Sequence, residues 1–231
     1  MKKLGIIGAM DVEIATLKEA MTEKQERRYA GMDFCEGVLQ GMPVVVARCG
    51  VGKVHGALCV QVLRDLFQVT HVVNTGIAGS LSAQLDIGDL VISRDAMYHD
   101  FDCVGFGYPM GKVPGLPVTF AADEGMLALA LEAAQQVHPG HVQAGRVASG
   151  DQFVCDRTKK EQIIAVTGGL CTEMEGAAIA QAAVVNELPF VIIRAISDKA
   201  DDSAEMDYPS FERLAAQRCA AVTMALAAAM A

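Results

Sequence analysis

The stretch Leu4-Gly5-Ile6-Ile7-Gly8-Ala9 is a short, unbroken apolar run, and after it the apolar residues Ile14, Leu17 and Met21 recur at spacings of three and four. Such a run is typical of a parallel strand that is covered on both faces, and the spacing that follows is typical of a helix. The sequence therefore opens with a strand and a helix, the unit from which α/β domains are built.

The same alternation of strand and helix patterns continues along the chain. Further predicted strands lie at 34–39, 43–48, 71–74, 90–93, 145–149, 170–174 and 190–196. Predicted helices follow Gly52 and lie at 126–137, 159–166 and 176–186, and a last helix is striped by apolar residues from Phe211 to Leu226. The alternation predicts an α/β fold: a single three-layer domain over residues 1–231, with a mixed, mostly parallel twisted sheet flanked by helices.

Composition excludes several classes of function. The 231 residues are 52% hydrophobic and 20% charged, with a net charge of −9, so a real core is expected and a basic nucleic-acid binder is not. The apolar stretches at 4–10 and 219–231 are too short to cross a bilayer, so we expect no membrane span. Seven cysteines and five histidines are scattered without a C-x-x-C pair. We therefore expect reduced thiols in a cytoplasmic protein, no metal site and no cofactor.

Carboxylates follow several of the predicted strands, where ligands of such sheets bind. Glu13 lies in the first turn of the first helix, Glu173 and Glu175 end one strand, and Arg194 and Asp198 end the most hydrophobic one. Helix electrostatics could explain Glu13, and a buried salt bridge could explain Arg194 with one glutamate. Neither explanation accounts for four acids around one arginine. Carboxyls that lie close together can have different pKa values, so that one acts as an acid and another as a base. Alternation also places Glu173 and Glu175 on one face of their strand.

Two segments lack a regular pattern. The segment Asn74–Ser80, which contains Ile77, Ala78 and Gly79, reads as a small-residue turn that lets backbone approach a ligand, although a tight packing turn would look the same. The segment 98–119 is rich in Gly, Pro and aromatic residues. A loop of that length inside a domain is usually functional or disordered, and its aromatics favour a binding or interface role over a mobile loop.

Six short motifs occur in an order that resembles the 5′-methylthioadenosine/S-adenosylhomocysteine nucleosidase family of the nucleoside phosphorylase superfamily. They are Gly5-Ile6-Ile7-Gly8-Ala9-Met10 with Glu13, Gly50-Val51-Gly52-Lys53, Asn74-Thr75-Gly76, Ser149-Gly150-Asp151-Gln152-Phe153, Glu173-Met174-Glu175 and Arg194-Ala195-Ile196-Ser197-Asp198. The resemblance covers nearly the whole chain. It implies a nucleoside phosphorylase-like fold and hydrolysis of the bond between adenine N9 and ribose C1′ in 5′-methylthioadenosine and S-adenosylhomocysteine, with 5′-deoxyadenosine as a further candidate.

The resemblance also implies roles for single residues. Asp198, held by Ser197, donates a proton to adenine N7, and Glu13 orients and deprotonates the attacking water. The substrate-binding residues that it implies around them are Val51, Ile77, Ala78, Gly79, Phe153, Val154, Glu173, Met174, Glu175, Arg194 and Tyr208. Among these, Phe153 stacks on adenine, the Val154 backbone reads the edge of the base, Glu175 and the Met174 backbone hold the ribose hydroxyls, and Glu173 and Arg194 support the cluster.

The family resemblance further implies a homodimer, in which segment 98–119 covers the 5′-alkylthio group of the neighbouring site. Phe106, Tyr108 and Pro114 would line that apolar pocket, although ordinary core packing could also explain the aromatics. Where the family often has other residues, this chain has Ile77, Ser80, Cys103 and Tyr208. These departures alter the lining of the pocket, so they affect substrate preference more than reaction type.

Two alternatives to hydrolysis share the same fold. A purine nucleoside phosphorylase needs cations that hold phosphate, and the sequence between Asn74 and Ser93 contains no Arg or Lys. A binding protein without catalysis would not need both Glu13 and Asp198. The sequence therefore favours a hydrolase that acts on a small-molecule nucleoside.

Overall fold

Ten strands and six α-helices alternate along residues 2–231, which the computed structural model describes. The strands are β1 (Leu4–Gly8), β2 (Thr22–Tyr29), β3 (Met32–Leu39), β4 (Met42–Arg48), β5 (His71–Ser80), β6 (Leu90–Tyr98), β7 (Phe120–Ala121), β8 (Val142–Ser149), β9 (Cys171–Glu173) and β10 (Phe190–Asp198). The helices are α1 (Asp11–Ala20), α2 (Lys53–Phe67), α3 (Glu124–Val137), α4 (Arg157–Thr167), α5 (Gly176–Val185) and α6 (Ala204–Met230).

All ten strands belong to one mixed sheet, which confirms the predicted α/β class. Strand β1 lies between β4 and β5 and is parallel to both, and β5 is also parallel to β10. Strand β10 pairs antiparallel with β6, β6 and β8 are parallel, β8 and β9 are parallel, and β9 returns antiparallel to β5. Five strands thus form a closed ring, from which β1, β4, β3 and β2 extend.

Apolar residues on the two sides of the sheet form two core clusters. One cluster packs helices α2 and α5 against the sheet, and the other packs α1, α3 and α6 against the opposite face. Strands β1 and β10 are buried at every position, as expected for central strands covered by helices. Because β1 and β10 are both parallel to β5, the carboxyl ends of the three strands meet at one edge of the sheet.

The structure corrects three sequence expectations. Strand β2 was not predicted because its sequence, TEKQERRY, is polar and almost wholly exposed; it is an edge strand, where charged side chains are favourable. The segment Asn74–Ser80 is not a turn but the second half of β5, because β10 and β9 supply partners for its backbone. Strand β9 ends at Glu173, so Glu175 lies outside it and strand alternation does not place the two glutamates.

Membrane-spanning helices were not expected, and none of the helices within residues 2–231 is long and apolar enough to cross a bilayer. The predicted domain begins at Met1, which lies outside the described residues.

Candidate active site

A cavity of about 420 Å³ opens at the carboxyl ends of the central strands. Most of the residues that the sequence singled out line it, and they come from segments far apart in the chain. The lining residues are Ala9, Met10, Glu13, Val51, Ile77, Ala78, Gly79, Gln152, Phe153, Val154, Thr172, Glu173, Met174, Glu175, Ser197, Asp198 and Tyr208. A cavity of this size, apolar in most of its lining and with a few polar groups, is what small-molecule sites look like.

Glu13 is fixed in the wall of the cavity by backbone groups alone. Its Oε2 accepts hydrogen bonds from the N–H groups of Ala9 (2.7 Å) and Met10 (3.0 Å), and its Oε1 accepts one from Ile77 (3.0 Å). Burial raises the pKa of this carboxyl, and the nearby charge of Arg194 and the three N–H groups oppose the rise. A Cβ at Gly76 would lie 2.3 Å from Oε1, so only glycine lets β5 approach the carboxylate this closely.

Asp198 ends β10 and lies on another wall of the same cavity. The hydroxyl of Ser197 donates to its Oδ2 (2.8 Å), and the N–H of Ala200 donates to its Oδ1 (2.8 Å). Burial raises the pKa of Asp198 despite these two hydrogen bonds. Gly79 faces this group, since a Cβ there would lie 2.8 Å from Oδ1. The Ser197–Asp198 contact agrees with the pairing that the resemblance implies.

Glu173 and Arg194 form a buried ion pair at the base of the cavity, 2.6 Å apart. The same guanidinium group donates to Asn74 (2.5 Å), while Glu173 accepts from the Ser149 hydroxyl and from the N–H groups of Glu175 and Gly176. Burial alone would raise the pKa of Glu173, but Arg194 and these donors lower it. Arg194 does not line the cavity itself, so its part is to hold Glu173 and to place a positive charge beneath the site.

Glu175 differs from Glu173 although only one residue separates them. It stands at the N-cap of α5, lines the cavity and accepts a hydrogen bond from the N–H of Gly52 (2.6 Å). Burial and the neighbouring charge of Glu173 raise the pKa of Glu175 to about 8. Three of the four predicted acids, Glu13, Glu173 and Glu175, therefore lie within electrostatic range of Arg194, whereas Asp198 lines the same cavity without such an interaction.

Aromatic residues line another part of the cavity. Phe153 and Tyr208 meet edge to face with ring centroids 5.7 Å apart, and the Tyr208 hydroxyl donates to the sulfur of Met10 (3.3 Å). Burial raises the pKa of Tyr208 to about 12, so its hydroxyl is a hydrogen-bond donor at neutral pH. Val154 is buried beside them, whereas half of Phe153 is exposed towards the cavity and solvent.

Besides Arg194, three predicted site residues lie outside the cavity of their own chain. Phe106 is 85% exposed, Tyr108 is also exposed, and Pro114 lies on the surface of the same 98–119 segment. An isolated chain thus does not bring these side chains to its own site.

Ala9, Met10, Gln152 and Thr172 also line the cavity, although the sequence assigned them no role. The signal that could have found them is adjacency, because each lies next to or within one of the motifs. Thr172 has a buried hydroxyl without a hydrogen-bond partner among the described residues.

Asp89, His138 and His141 form a second polar cluster, away from the cavity, with ligand-type atoms within 4.8 Å of one another. His141 pairs with Asp89 (2.9 Å), and Arg218 lies 3.0 Å from the Nε2 of His138. Arg218 therefore already supplies a positive charge to this group.

Comparison with known proteins identifies the family to which the chain is similar. Residues 3–228 match the model of the phosphorylase superfamily. The 5′-methylthioadenosine/S-adenosylhomocysteine nucleosidase of Geobacillus thermodenitrificans is 40% identical over 97% of this chain and 95% of its own. The nucleosidase of the same description from Neisseria meningitidis, solved with methylthio-immucillin-A, is 37% identical with a TM-score of 0.96, covering 99% of this chain and 100% of that one.

A futalosine hydrolase of Helicobacter pylori has a similar structure, with 34% identity and a TM-score of 0.93 over 97% of each chain. Similarity over nearly the full length and a shared fold lead to one conclusion. The chain belongs to the 5′-methylthioadenosine/S-adenosylhomocysteine nucleosidase family of the phosphorylase superfamily.

Proposed function

We propose that this chain hydrolyses the N-glycosidic bond of 5′-methylthioadenosine and S-adenosylhomocysteine and releases adenine and a 5′-substituted ribose. The observation that carries the proposal is a pair of desolvated carboxyls, Glu13 and Asp198, held on separate walls of one cavity by fixed hydrogen bonds. Two carboxyl groups around an oxocarbenium-like centre are the usual equipment for cleaving a glycosidic bond.

Asp198 is the general acid in this scheme. Burial favours its protonated form, which is the form that can donate a proton to N7 of adenine. Protonation at N7 lets the electron pair of the C1′–N9 bond leave with the base, and positive charge develops on the ribose. Ser197 holds the carboxyl through Oδ2 and keeps it oriented as the proton moves.

Glu13 is the base. Its three backbone donors and the charge of Arg194 oppose the effect of burial and favour the ionised form that water deprotonation requires. Water attacks C1′ and passes its proton to Glu13, so the water oxygen becomes the new hydroxyl of the sugar. A negative Glu13 also stabilises the positive charge that develops on the ribose.

Recognition is assigned to the remaining lining residues. Phe153 and Val154 line the cavity and are assigned to adenine, the first by its ring and the second by its backbone; Glu175 and the backbone of Met174, also in the lining, are assigned to the ribose hydroxyls. Val51, Ile77, Ala78, Gly79 and Tyr208 complete the lining.

We propose that two copies of this chain form a homodimer in which segment 98–119 of each subunit covers the site of the other. Phe106 and Tyr108 support this arrangement because large aromatic side chains are exposed in the single chain. Val54 and Leu58 of α2 are further exposed apolar side chains. Unpaired cysteines at all seven positions support a reducing compartment, which we propose to be the cytoplasm.

Phosphorolysis is the closest alternative, and the charges of the cavity disfavour it. The lining of the described chain includes no lysine or arginine, and the buried Arg194 is already bonded to Glu173 and Asn74. The ionised Glu173 and, in the proposed scheme, the ionised Glu13 would repel a phosphate dianion.

The test is adenine release from 5′-methylthioadenosine, followed by liquid chromatography in phosphate-free buffer and again with added phosphate. Hydrolysis predicts release in both buffers and its loss in Asp198→Asn. Release only with phosphate, together with a ribose 1-phosphate product, would contradict the proposal. S-Adenosylhomocysteine, 5′-deoxyadenosine and futalosine, run in parallel, measure the preference for the 5′ substituent.

A further inference from the structure

Helix α2 has no capping side chain of its own. Gly52 stands at its N-cap, with a φ of 101°, and its first turn contains no acidic residue. The free N–H groups are met by two carboxylates that are distant in sequence: Gly52 donates to Glu175 (2.6 Å) and Lys53 donates to Oδ1 of Asp151 (2.9 Å). Since helix N-termini attract negative charge, both contacts are favourable, and they tie α2 to the segments that follow β8 and β9.

The side chain of Lys53 closes a ring of charges at the same point. Its ammonium group donates to Oδ2 of Asp100 (2.7 Å) and lies 3.5 Å from Oδ2 of Asp151, and the N–H of Asp151 donates to the same Asp100 oxygen (2.9 Å). The ammonium also lies 5.5 Å from the centre of the Tyr98 ring, within cation–π range. Lys53, Asp100 and Asp151, which we call the Lys53 clamp, therefore join three separate segments.

Each of these segments carries part of the candidate site. Val51 and Gly52 precede Lys53, and Phe153 follows Asp151 by two residues. Asp100 is the third residue of segment 98–119, which is proposed to reach the neighbouring subunit. Without a positive charge at residue 53, the negative charges of Asp100 and Asp151 would repel each other and push their two segments apart.

We propose that Lys53 is a positioning residue for the hydrolysis: the Lys53 clamp holds the N-terminus of α2 against Glu175 and, through Asp151, holds the wall that carries Phe153. The inference rests on the proposed function, because Glu175 and Phe153 are assigned there to ribose and adenine. A surface ion pair without this role would stabilise the fold slightly and leave the kinetics unchanged.

The clamp affects the charge state of Glu175 as well as its position. The hydrogen bond from Gly52 opposes the rise in the pKa of Glu175 that burial and Glu173 cause. Besides Gly52, the charged groups that act on Glu175 are Glu173, Glu13 and Arg194, and the clamp touches none of these three. Loosening the clamp weakens the hydrogen bond from Gly52, and the pKa of Glu175 then rises further. The acidic limb of the kcat/KM profile of such a variant should then move to higher pH.

The experiment compares Lys53→Met with Lys3→Met in the full-length protein. Lys3 is a matched control, because its ammonium group pairs with Glu36 far from the cavity and its side chain is 23% exposed, the same fraction as for Lys53. We expect Lys53→Met to lower kcat/KM for 5′-methylthioadenosine by about 10- to 100-fold, the range for a charge-assisted hydrogen bond, mainly through KM. Lys53→Arg should recover most of the loss, and Lys3→Met should match the wild type.

Hydrogen exchange provides a measure that does not depend on catalysis. Peptides that cover 50–54 and 150–156 should exchange faster in Lys53→Met than in the wild type, and unchanged exchange there would overturn the clamp. Kinetics identical to those of Lys3→Met, or a loss without any shift of the pH profile, would overturn the positioning role. If Lys53→Met does not fold, Asp100→Asn takes its place. A wild-type protein that releases no adenine would contradict the proposed function, while the exchange data still decide the clamp.

Discussion

Two kinds of carboxylate lie at one edge of the sheet, and they differ in whether a cation touches them. Glu173 at the base of the cavity contacts Arg194 directly, and its pKa is lowered in spite of complete burial. Glu13, Glu175 and Asp198 on the walls accept hydrogen bonds only from N–H and hydroxyl groups, and burial raises the pKa of all three. Hydrogen bonds alone thus leave a buried carboxyl easy to protonate, whereas a contacting guanidinium keeps it ionised.

This difference separates a carboxylate that stabilises the fold from the carboxyls that can take part in the reaction. Glu173 accepts hydrogen bonds from Arg194 and from the N–H of Gly176 in the first turn of α5. These bonds stabilise the base of the site. The wall carboxylates keep their capacity to exchange protons and to bind a ligand. Changes in the first group should therefore alter folding, and changes in the second should alter activity.

Asp198→Asn should have the largest effect on activity. A positioned general acid contributes about 10²- to 10⁴-fold, so kcat should fall by that factor because an amide cannot supply the proton. Thermal unfolding should show a stability equal to or above that of the wild type, since the raised pKa means that burying the charged form costs free energy. Asp86→Asn, which alters an exposed carboxylate paired with Lys199, is the control and should retain full activity.

Arg194→Met should have the largest effect on stability. Removing one partner of a buried ion pair leaves an uncompensated charge and costs about 3–5 kcal/mol of unfolding free energy, measured by denaturant titration. Arg146→Met breaks a more exposed pair with Asp95 and should cost about 1 kcal/mol or less. Equal losses in the two variants would contradict the distinction between the base of the cavity and the partly exposed pairs.

Glu175→Gln should reveal a pH-dependent gain in stability. The pKa of this carboxyl is 4.5 ordinarily and about 8 in the fold, so the folded protein binds more protons than the unfolded chain between these values. Wild-type stability contributed by this group is therefore present below pH 4.5 and is lost as the pH rises towards 8. Glutamine does not ionise, so the variant does not lose this free energy of unfolding as the pH rises. Each unit of pKa difference corresponds to about 1.4 kcal/mol.

Unfolding measured at about pH 5 and about pH 8, near the two ends of this range, should then show a larger advantage of Glu175→Gln over the wild type at the higher pH. An advantage of the same size at both values would mean that the carboxyl titrates normally. Adenine release by this variant should fall furthest below the wild type at about pH 8, where the wild-type carboxyl ionises, because the amide cannot supply the charge that the ribose hydroxyls would meet.

Phe106→Ala should have the smallest effect on the chain itself. Its ring is exposed, so unfolding free energy should change by less than about 0.5 kcal/mol. If the ring covers the 5′ group in a neighbouring subunit, KM for 5′-methylthioadenosine should rise by about tenfold, the effect of about 1.4 kcal/mol of lost binding, while kcat changes little. Kinetics that stay at the wild-type level, with light scattering that shows a monomer, would contradict the proposed dimeric site.

Much of the fold could be read from local patterns. The apolar run from Leu4 and the strand that ends at Asp198 were recognised because strands buried on both faces are apolar throughout. Strand β2 escaped notice because an edge strand needs no apolar face, and its partner β3 defines it. The second half of β5 escaped notice because small residues resemble a turn until β10 and β9 pair with them.

The sequence by itself determined which residue types follow each strand, and hence that acids and an arginine would meet at one sheet edge. Only the tertiary structure decided which carboxyl Arg194 contacts, because that choice depends on distances of a few ångströms between β9 and β10. It also decided that Asp151 and Glu175 cap α2, and that Phe106 is exposed and does not line its own cavity. Proton affinity and ligand contact are set by burial and by partners distant in the chain, and neither is written in local sequence.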